Sequence, residues 1–515
     1  MSGRSGEHRG EQGNAVAKIV FEAVRRYGDA VAFREHGREV TFAQAGERIA
    51  RLANVLRDVS TDTGCCVAIL LPNRAEYAEA DLAIAVAGKV RAPITTRLAD
   101  EERAYCLTNV AAETLITEAS ELERVAALLP QLPALRRVLV LDADADVTLL
   151  PIAMGYESAL ALASPQPPSV AVEAEDAAVV RHTSGTTGRA KGATISVRAR
   201  LAAMRHSLAS EYTAASDDCV LHVAPLGHAS GDKVLTFFAQ GAVNAFVPAF
   251  TAERFSADVA ALGVTTTFMV PTMLRMLLAV PDSAVRLRNL TYGGSPIDAD
   301  TRGEAVAHFG PVLTQIYGTT ETPHPVLALG HDAHLLAETR EATGGVVPGI
   351  RARIVNDDGV DVASGEPGEL WVRGPNVMTG YWNDPVATAE VFVDGWYHTG
   401  DVAQELPGGW VAVVDRKKDL VITGGLNVYP AEVEAALLRH PQVMEAAVFR
   451  KADPLWGEIV AAAIVPTPGI APSVADLTAH CEQLLAAYKK PRHFAFVDAL
   501  PKGPTGKVLK RLLTD

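Results

Sequence analysis

The chain has 515 residues, with 47 Lys or Arg against 61 Asp or Glu, which gives a formal net charge of −14. One hydrophobic core rarely extends over a chain of this length, so at least two domains are expected. The acidic balance argues against a nucleic-acid partner, because binding a phosphate backbone requires a basic face. A nucleotide stays possible, since it needs only a local site.

Hydrophobic residues make up 48% of the chain, but the longest apolar runs, such as Val67–Leu71 and Ala461–Val465, are short. They fall far below the roughly 18 residues of a membrane helix, so no integral membrane segment is expected. Residues 1–14 are polar and Gly-rich, which predicts a disordered tail rather than a signal peptide and hence a cytoplasmic protein. The five cysteines are scattered without C-x-x-C spacing, which disfavours a disulfide framework and a zinc site.

Apolar strand-like runs alternate with Ala- and Leu-rich helical stretches through the first 300 residues. Cys66–Leu71 precedes the helical stretch Ala75–Ala87, and Val264–Val270 precedes Thr272–Val280. Such alternation predicts an α/β fold of layered, largely parallel sheets.

The pattern changes twice further along the chain. From about Gly345 short strands predict a small β-rich unit, and the charged run Asp415–Asp419 predicts a domain boundary. The β-rich unit is predicted from the strands Ile350–Val355 and Gly368–Arg373. After the boundary, the predicted helices are Pro430–His440 and Val474–Tyr488, and the predicted strands are Val443–Arg450 and Glu458–Val465. They predict an α+β C-terminal domain.

The segment Thr183–Gly192 (TSGTTGRAKG) follows the apolar stretch Ala177–Val180. Its glycines let the backbone turn sharply and approach a ligand, its hydroxyls offer donors, and Arg189 and Lys191 add positive charge. A loop rich in Ser, Thr and Gly is usually only a turn, but the basic residues and the preceding strand favour a polyphosphate cradle. The NTPase P-loop is excluded, because that motif has Ser or Thr after the lysine and here Gly192 follows.

Further motifs follow in order: Tyr317–Glu321 (YGTTE), Tyr397–Asp401 (YHTGD), Asp415–Asp419 (DRKKD) with Ile422–Gly425 (ITGG), and Pro501–Lys507 (PKGPTGK). With the loop, they resemble the motifs of the adenylate-forming superfamily, which contains acyl- and aryl-CoA synthetases, adenylation domains and firefly luciferase. The resemblance covers nearly the whole chain and is closest to acyl-CoA ligases. One departure is Ala190, where the family loop usually has Pro.

The resemblance implies an ATP-dependent carboxylic acid:CoA ligase. The acid would be adenylated with release of pyrophosphate, and the acyl group would then pass to the CoA thiol with release of AMP. The first step joins two anions, so positive charge is needed in the site and Mg²⁺ is expected beside ATP and coenzyme A. A stand-alone enzyme that loads a carrier protein, a non-catalytic nucleotide- or acyl-binding relative and a luciferase-like oxygenase are the alternatives. Only eight residues follow Lys507, so no fused carrier domain is expected.

The family's functional positions transfer to this chain residue by residue. The implied catalytic residues are Thr183, Lys191, Glu321 as a Mg²⁺ ligand, and Lys507, which would contact the acyl carboxylate and phosphate. The implied ATP- or AMP-binding residues are Ser184, Gly185, Thr186, Thr187, Gly188, Gly293, Gly294, Ser295, Pro296, Tyr317, Gly318, Thr319, Thr320, Asp401 and Arg416. Tyr317 would lie against the adenine, and Asp401 and Arg416 would hold the ribose.

Each single position also has an ordinary structural interpretation. Glu321 alone would be a solvated loop carboxylate, Asp401 a turn cap, and Lys507 one lysine of a basic tail with Lys502 and Lys510. The resemblance further implies a hinge at Lys418. Residues 15–417 would form an ATP- and acid-binding domain, and residues 418–515 a mobile domain whose Gly424 and Gly425 line a thiol channel.

The acyl pocket is implied by His228 and its neighbours. Ala229 stands where amino-acid-activating domains carry Asp, so an α-amino acid is disfavoured, while aryl, cyclic and medium-chain acids stay open. Asp232 and Lys233 are expected to be either an exposed charge pair or a site where Lys233 meets a polar group of the acid. The run Thr322, Pro323 and His324 is expected to form another wall. Whether the chain forms a homo-oligomer is left open.

Overall fold

A computed structural model describes residues 13–142, 147–183, 189–280, 285–469, 472–503 and 508–513. The predicted site residues Ser184, Gly185, Thr186, Thr187, Gly188 and Lys507 lie outside these ranges. Within them, no helix has both the length and the apolar character needed to cross a membrane.

Several helices begin after a polar residue whose side chain accepts a hydrogen bond from a free backbone N–H group. Asn14 accepts a hydrogen bond from Ala17 N, and Thr41 forms a reciprocal capping box with Gln44. In chain order the α-helices are α1 (Ala15–Tyr27), α2 (Phe42–Val59), α3 (Ala75–Val86), α4 (Asp100–Asn109), α5 (Leu122–Leu128), α6 (Tyr156–Leu162), α7 (Val197–Ser210), α8 (Ala229–Ala239), α9 (Ala252–Leu262), α10 (Pro271–Leu278), α11 (Ala299–Phe309), α12 (Pro385–Val391), α13 (Pro430–Leu438) and α14 (Val474–Leu484).

Strands before residue 350 belong to two large sheets. They are β1 (Val31–Glu35), β2 (Arg38–Thr41), β3 (Cys66–Leu70), β4 (Val90–Pro93), β5 (Thr114–Glu118), β6 (Arg137–Leu141), β7 (Ala153–Gly155), β8 (Ala177–Thr183), β9 (Lys191–Ser196), β10 (Cys219–His222), β11 (Val243–Phe246), β12 (Thr266–Met269), β13 (Asn289–Gly293), β14 (Leu313–Tyr317), β15 (Leu327–Leu329) and β16 (Gly345–Val346).

The remaining strands follow residue 350. They are β17 (Arg351–Val355), β18 (Pro367–Arg373), β19 (Gly380–Tyr381), β20 (Phe392–Val393), β21 (Trp396–Leu406), β22 (Trp410–Arg416), β23 (Val421–Thr423), β24 (Leu426–Val428), β25 (Val443–Asp453), β26 (Gly457–Pro466) and β27 (His493–Phe496).

The two large sheets are parallel in their centres and antiparallel at edges. One has the order β16-β15-β14-β13-β12-β10-β11-β1-β2, and the other has the order β19-β9-β8-β4-β3-β5-β6-β7. In the second sheet Cys66 of β3 lies opposite Val90 of β4, and every residue of β3 is buried because helices cover both faces. Helices α1, α2, α3 and α8 contribute to one hydrophobic core with strands of both sheets.

Two smaller sheets complete the fold. The third has the order β17-β18-β21-β20, with β22 also paired to β21, and the fourth has the order β24-β23-β26-β25, with β27 parallel to β26. Side chains of β26, α13 and α14 share the core of the fourth sheet. The backbone N–H of Ala431, at the start of α13, donates to Asp415 Oδ2 at the end of β22 over 2.8 Å. This hydrogen bond joins the third sheet to the C-terminal part.

The fold class is the one that the sequence predicted. Strands β3, β12, β17, β18, β25 and β26 and helices α3, α10, α13 and α14 coincide with predicted segments to within a few residues at either end. Strand β3 was readable because a buried parallel strand is continuously apolar. The domain division at Lys418 stays a prediction.

Candidate active site

The candidate site lies beyond the carboxyl ends of neighbouring parallel strands, where α/β sheets usually bind ligands. The predicted phosphate loop leaves β8 of one large sheet. The segment that leads to His228 follows β10, the adenine wall follows β13, and Tyr317–Glu321 follows β14 of the other large sheet. Sequence motifs separated by more than a hundred residues therefore meet at the crevice between the two sheets.

The phosphate loop joins two antiparallel strands, with Thr183 opposite Lys191. The Thr183 hydroxyl donates to the Lys191 carbonyl over 3.3 Å. Tyr105 of α4 donates its hydroxyl to the Ala190 carbonyl over 2.9 Å, and the Arg189 guanidinium lies 5.4 Å from the centre of the Tyr105 ring. Tyr105 thus fixes the loop at the position where the family usually has Pro. Tyr105 could not be singled out from the sequence, because it lies 85 residues from Ala190.

A chain of contacts joins Lys191 to Glu321 through a tyrosine that the sequence analysis missed. The Lys191 Nζ lies 5.1 Å from the ring centre of Tyr381 and 3.9 Å from Glu390 Oε2. The Tyr381 hydroxyl donates to Glu321 Oε1 over 3.1 Å. Burial, reinforced by Glu321, raises the pKa of Tyr381, so its hydroxyl stays a donor. An aromatic residue in the short edge strand β19 is too common a feature to be singled out from sequence.

The Glu321 carboxylate suits a magnesium ion, because Mg²⁺ prefers oxygen ligands and combines one or two carboxylates with phosphate oxygens. In the described part of the chain, no group of three His, Cys, Asp or Glu side chains is arranged to hold a metal. A Mg²⁺ ion bound between Glu321 and a nucleotide does not require such a group.

The turn that carries Glu321 is held by its own side chains. A Cβ on Gly318 would stand 2.8 Å from the His324 Cβ, so only glycine fits this close approach. The Thr319 and Thr322 hydroxyls lie 3.0 Å apart, and each accepts a hydrogen bond from the backbone N–H of the other residue. Both hydroxyls therefore stabilise the turn, while Thr320 is half-buried and stays a predicted phosphate contact.

The predicted ribose carboxylate is placed between two partners. Asp401 is 4% exposed, accepts a hydrogen bond from the Tyr317 hydroxyl over 2.6 Å, and lies 3.0 Å from Arg416 Nε. Asp401 raises the pKa of Arg416, which stays charged beside it. Since Asp401 is a strand residue of β21 rather than the end of a turn, the ordinary interpretation as a turn cap does not hold.

Replacing Asp401 with Asn should raise the KM for ATP by roughly 10- to 100-fold, the usual worth of a charge-assisted hydrogen bond. The amide keeps the shape and one acceptor oxygen but cannot accept from a ribose diol with both oxygens. Initial-rate kinetics in ATP measure the change. Asp361→Asn is the matched control, because Asp361 also pairs with an arginine, Arg353, at 2.7 Å but is exposed. An unchanged KM in Asp401→Asn would refute the ribose assignment.

The predicted adenine wall combines a tight strand end with an open loop. A Cβ on Gly293 would stand 2.2 Å from the Ile316 carbonyl oxygen, and Gly294 has φ +88°, so both positions need glycine. The loop that follows is exposed at Gly294, Ser295 and Pro296, which is compatible with contact to a flat ring.

On the acid side, His228 and Ala229 stand at the start of α8 and are half-buried. Lys233, by contrast, is 2% exposed and is paired with the buried Glu211. The expectation of an exposed charge pair is therefore wrong, because burial of an ammonium group requires a counter-charge and Glu211 supplies it. A contact between Lys233 and a polar group of the acid stays a prediction. Its neighbour Asp232 does not pair with it but with Arg181 of β8, at 2.6 Å.

The residues that follow Glu321 lie against α8 and β12. Thr322 is fully buried, and the Pro323 carbonyl accepts a hydrogen bond from Asn376 Nδ2 over 2.7 Å. The His324 ring stacks parallel to Phe268, with ring centres 6.0 Å apart. His324 also lies beside α8, with its Nε2 4.0 Å from Asp232 Oδ2, and its role in the acyl pocket stays a prediction.

The predicted hinge and thiol channel lie at exposed turns. Lys418 is exposed in a short 3₁₀ turn between the third and fourth sheets. Gly424 and Gly425 form the β23–β24 turn with φ +57° and +82°, and Gly424 N donates to the Trp456 carbonyl over 3.0 Å. Positive φ at both positions explains why glycine is used here.

The described residues that flank the segment containing Lys507 are paired within the C-terminal part. Lys502 and Val508 form an antiparallel bridge. Lys502 pairs with Glu445 at 2.6 Å and Lys510 with Glu434 at 2.8 Å. These two lysines therefore belong to ion pairs of the C-terminal part rather than to a solvated basic tail.

The chain is similar to known families and proteins over most of its length. Residues 20–382 match the family model described as AMP-binding enzyme, and residues 432–507 match the AMP-binding enzyme C-terminal domain. A feruloyl-CoA synthase from an Amycolatopsis species is 38% identical over 489 residues, covering 93% of this chain and 94% of that protein. Fatty acid–[acyl-carrier-protein] ligase ScoC from Streptomyces coeruleorubidus is 34% identical, covering 93% and 92%.

Among solved structures, ATP-bound MatB from Rhodopseudomonas palustris is similar with a TM-score of 0.88 at 29% identity, covering 97% of this chain and 98% of that one. The family models cover most of the chain and include the phosphate loop, Tyr317–Glu321 and Pro501–Lys507, while the motifs between residues 397 and 425 lie between the two models. The chain therefore belongs to the AMP-binding enzyme family, the adenylate-forming superfamily that its motifs resemble, and is a ligase of the acyl-CoA synthetase type.

Proposed function

We propose that the chain is an ATP-dependent ligase that joins an aromatic carboxylic acid to coenzyme A through an acyl-adenylate. The observation that carries this proposal is the convergence of two contact sets at one crevice. Tyr317 and Arg416 hold the Asp401 carboxylate, and Tyr381 joins Glu321 to Lys191. One set suits a ribose and the other suits a magnesium-bound polyphosphate, so together they would orient ATP for attack at its α-phosphate.

In the first step, a carboxylate oxygen of the acid attacks the α-phosphorus of ATP. The bond to the β-phosphate oxygen breaks, and pyrophosphate leaves. Lys191 and Lys507 would supply positive charge where negative charge gathers, and Glu321 would hold a Mg²⁺ ion that screens the phosphates when it is bound. Asp401, fixed by Arg416, would hold the ribose so that the α-phosphate does not drift from the acid.

In the second step, the thiol sulfur of CoA attacks the acyl carbon, and the bond from that carbon to the AMP oxygen breaks. AMP leaves, and the thiol proton passes to solvent. We propose that rotation about Lys418 removes Lys507 from the site and brings Gly424 and Gly425 in to line the thiol's path. The exposed position of Lys418 between two sheets supports this role.

An aromatic acid is proposed for two reasons. The parallel Phe268–His324 pair offers a flat surface on the acid side, and the feruloyl-CoA synthase relative acts, by its name, on an aromatic acid. Ala229 removes the carboxylate that would hold an α-amino group. Loading of a free-standing carrier protein is the second candidate, and the similarity to ScoC over almost the whole chain supports it.

A pyrophosphate-release screen over carboxylic acids, run with and without CoA, tests the function. We expect pyrophosphate with aromatic acids, and AMP release and a CoA thioester, identified by mass, only when CoA is present. Adenylate that accumulates without transfer to CoA, but transfers to a carrier protein bearing a phosphopantetheine arm, would favour the second candidate. No pyrophosphate with any aromatic acid, while an aliphatic acid is turned over, would refute the proposed substrate class.

A further inference from the structure

Three charged or titratable side chains from three site segments meet on the acid side. We name Arg181, Asp232 and His324 the polar floor. Arg181 stands two residues before the phosphate loop begins, Asp232 lies in the first turn of α8 after His228, and His324 follows Glu321 by three residues. The polar floor therefore shares its backbone segments with the phosphate and acid sites.

Its charges are fixed by direct pairing. Arg181 donates from Nη2 to Asp232 Oδ1 over 2.6 Å and from Nη1 to Asp232 Oδ2 over 3.2 Å. Behind this pair, Arg91 Nη2 lies 3.6 Å from Asp232 Oδ1. Burial opposes ionisation of Asp232, but Arg181 and the other nearby positive charges override it, so its pKa lies below the ordinary value. The carboxylate is thus charged and locked in place.

His324 is different because its hydrogen-bonding capacity is unfilled. Both of its ring nitrogens are buried without a hydrogen-bond partner among the described residues, and its Nε2 lies 4.0 Å from Asp232 Oδ2, beyond hydrogen-bond distance. The Nε atom of Arg181 is also buried and unpartnered. Burial lowers the pKa of His324 to about 4, so the ring is neutral at pH 7 and has one donor and one acceptor nitrogen.

His222 shows how this fold treats a histidine with a purely structural role. Its ring also stacks parallel to a phenylalanine, Phe246, at 5.1 Å. Its Nδ1 and Nε2 are nevertheless both partnered, by Ser230 and Asn244 at 2.9 Å each. In the described ranges, His324 is the histidine with two buried, unpartnered nitrogens. Buried polar groups in native proteins are nearly always satisfied, so a missing partner at a binding site points to the ligand.

We propose, building on the aromatic-acid ligase function above, that the polar floor selects aromatic acids bearing a hydroxyl group remote from the reacting carboxylate. A hydroxyl is donor and acceptor at once, so it can satisfy a neutral imidazole in either tautomer. The stacked ring of Phe268 keeps the His324 edge in one plane, and Arg181 with Asp232 supplies fixed charges around it. An unsubstituted acid would leave these buried groups unpaired, which is how polar pockets reject analogues that lack a hydroxyl.

Matched acid pairs test this proposal. The probes are 4-hydroxycinnamate with cinnamate, 4-hydroxyphenylacetate with phenylacetate, and 4-hydroxybenzoate with benzoate, each followed by pyrophosphate release. We expect the wild-type enzyme to prefer the hydroxylated member of its best pair by roughly 10²-fold in kcat/KM. His324→Phe keeps a flat ring beside Phe268 but removes both nitrogens, so the preference should fall to within about threefold of unity, chiefly because the KM for the hydroxylated acid rises.

His324→Gln restores a donor and an acceptor and should recover part of the preference, which a purely packing role would not predict. It also serves if His324→Phe does not fold, as judged by thermal unfolding. Equal kcat/KM values for both members of every pair in wild type, an unchanged preference in a folded His324→Phe variant, or a folded His324→Gln variant that prefers neither member of the pair would overturn the proposal. Absence of pyrophosphate with all six acids would instead be a failure of the proposed function.

Discussion

Replacing Lys507 with Ala should lower the rate of adenylate formation by roughly 10²- to 10³-fold, while transfer from preformed adenylate to CoA stays nearly unchanged. The magnitude is that of losing one preorganised donor at the developing charge of a transition state. The two half-reactions are measured separately, by pyrophosphate release from ATP and acid and by thioester formation from synthetic acyl-adenylate. Equal losses in both would refute the role of Lys507.

Lys502→Ala is the matched control for Lys507→Ala. Lys502 lies in the same motif but is paired with Glu445 at 2.6 Å, so its loss should remove only a partly exposed ion pair.

Lys418→Pro is the reciprocal variant, because proline restricts rotation about the proposed hinge. It should block thioester formation and spare adenylation. Opposite effects of Lys507→Ala and Lys418→Pro would establish that one site serves two steps, and a Lys418→Pro variant normal in both would refute the hinge.

Replacing Glu211 with Ala should destabilise the protein by about 3–5 kcal/mol, the typical cost of leaving one member of a buried ion pair alone. Lys233 and Glu211 are both nearly inaccessible, and the Lys233 ammonium lies 4.9 Å from the Tyr212 ring centre and 5.1 Å from that of Phe268. Aromatic faces attract a cation but cannot replace a carboxylate. Denaturant midpoints of the variant and wild type, compared at equal protein concentration, measure the loss.

Two further variants isolate the origin of that loss. The double substitution Glu211→Leu with Lys233→Met removes both charges and should recover most of the stability, since apolar residues of similar size often replace a buried pair without cost. Glu482→Ala breaks another Lys–Glu pair, with Lys490 at 2.7 Å, that is largely exposed, so it should cost below about 1 kcal/mol. A Glu211→Ala midpoint equal to that of wild type would contradict the prediction.

Elements with a continuous or periodic apolar pattern were predictable from sequence. Strand β3 is an example, because burial on both faces of the sheet requires apolar residues along the whole strand. The site was predictable wherever a motif carried it, as at Asp401 and Glu321. Tyr381 and Tyr105 were not, because their partners Glu321 and Ala190 lie 60 and 85 positions away in sequence. Local spacing contains no information on contacts of that range.

The loop Thr183–Gly192 illustrates both levels. From sequence, its glycines, hydroxyls and basic residues predict a phosphate-binding loop that is not the NTPase P-loop. The structure added that Tyr105 holds the loop's end at Ala190 and that Tyr381 joins Lys191 to Glu321. The middle of the loop lies outside the described residues, so its contacts with ATP stay a prediction.

What the sequence by itself determined was the fold class and the type of reaction. The fold class was predictable because apolar runs alternate with helical stretches, and the reaction type because ordered motifs resemble those of the adenylate-forming superfamily. Only the tertiary structure decided which charges are partnered. The sequence predicts Lys233 in an exposed pair with Asp232 or beside a polar group of the acid, but the structure buries it against Glu211 of the preceding segment. Asp232 pairs with Arg181 instead, and both ring nitrogens of His324 lack a hydrogen-bond partner among the described residues. The physical reason is that burial sets the cost of a charge, and burial is created by segments that are distant in sequence.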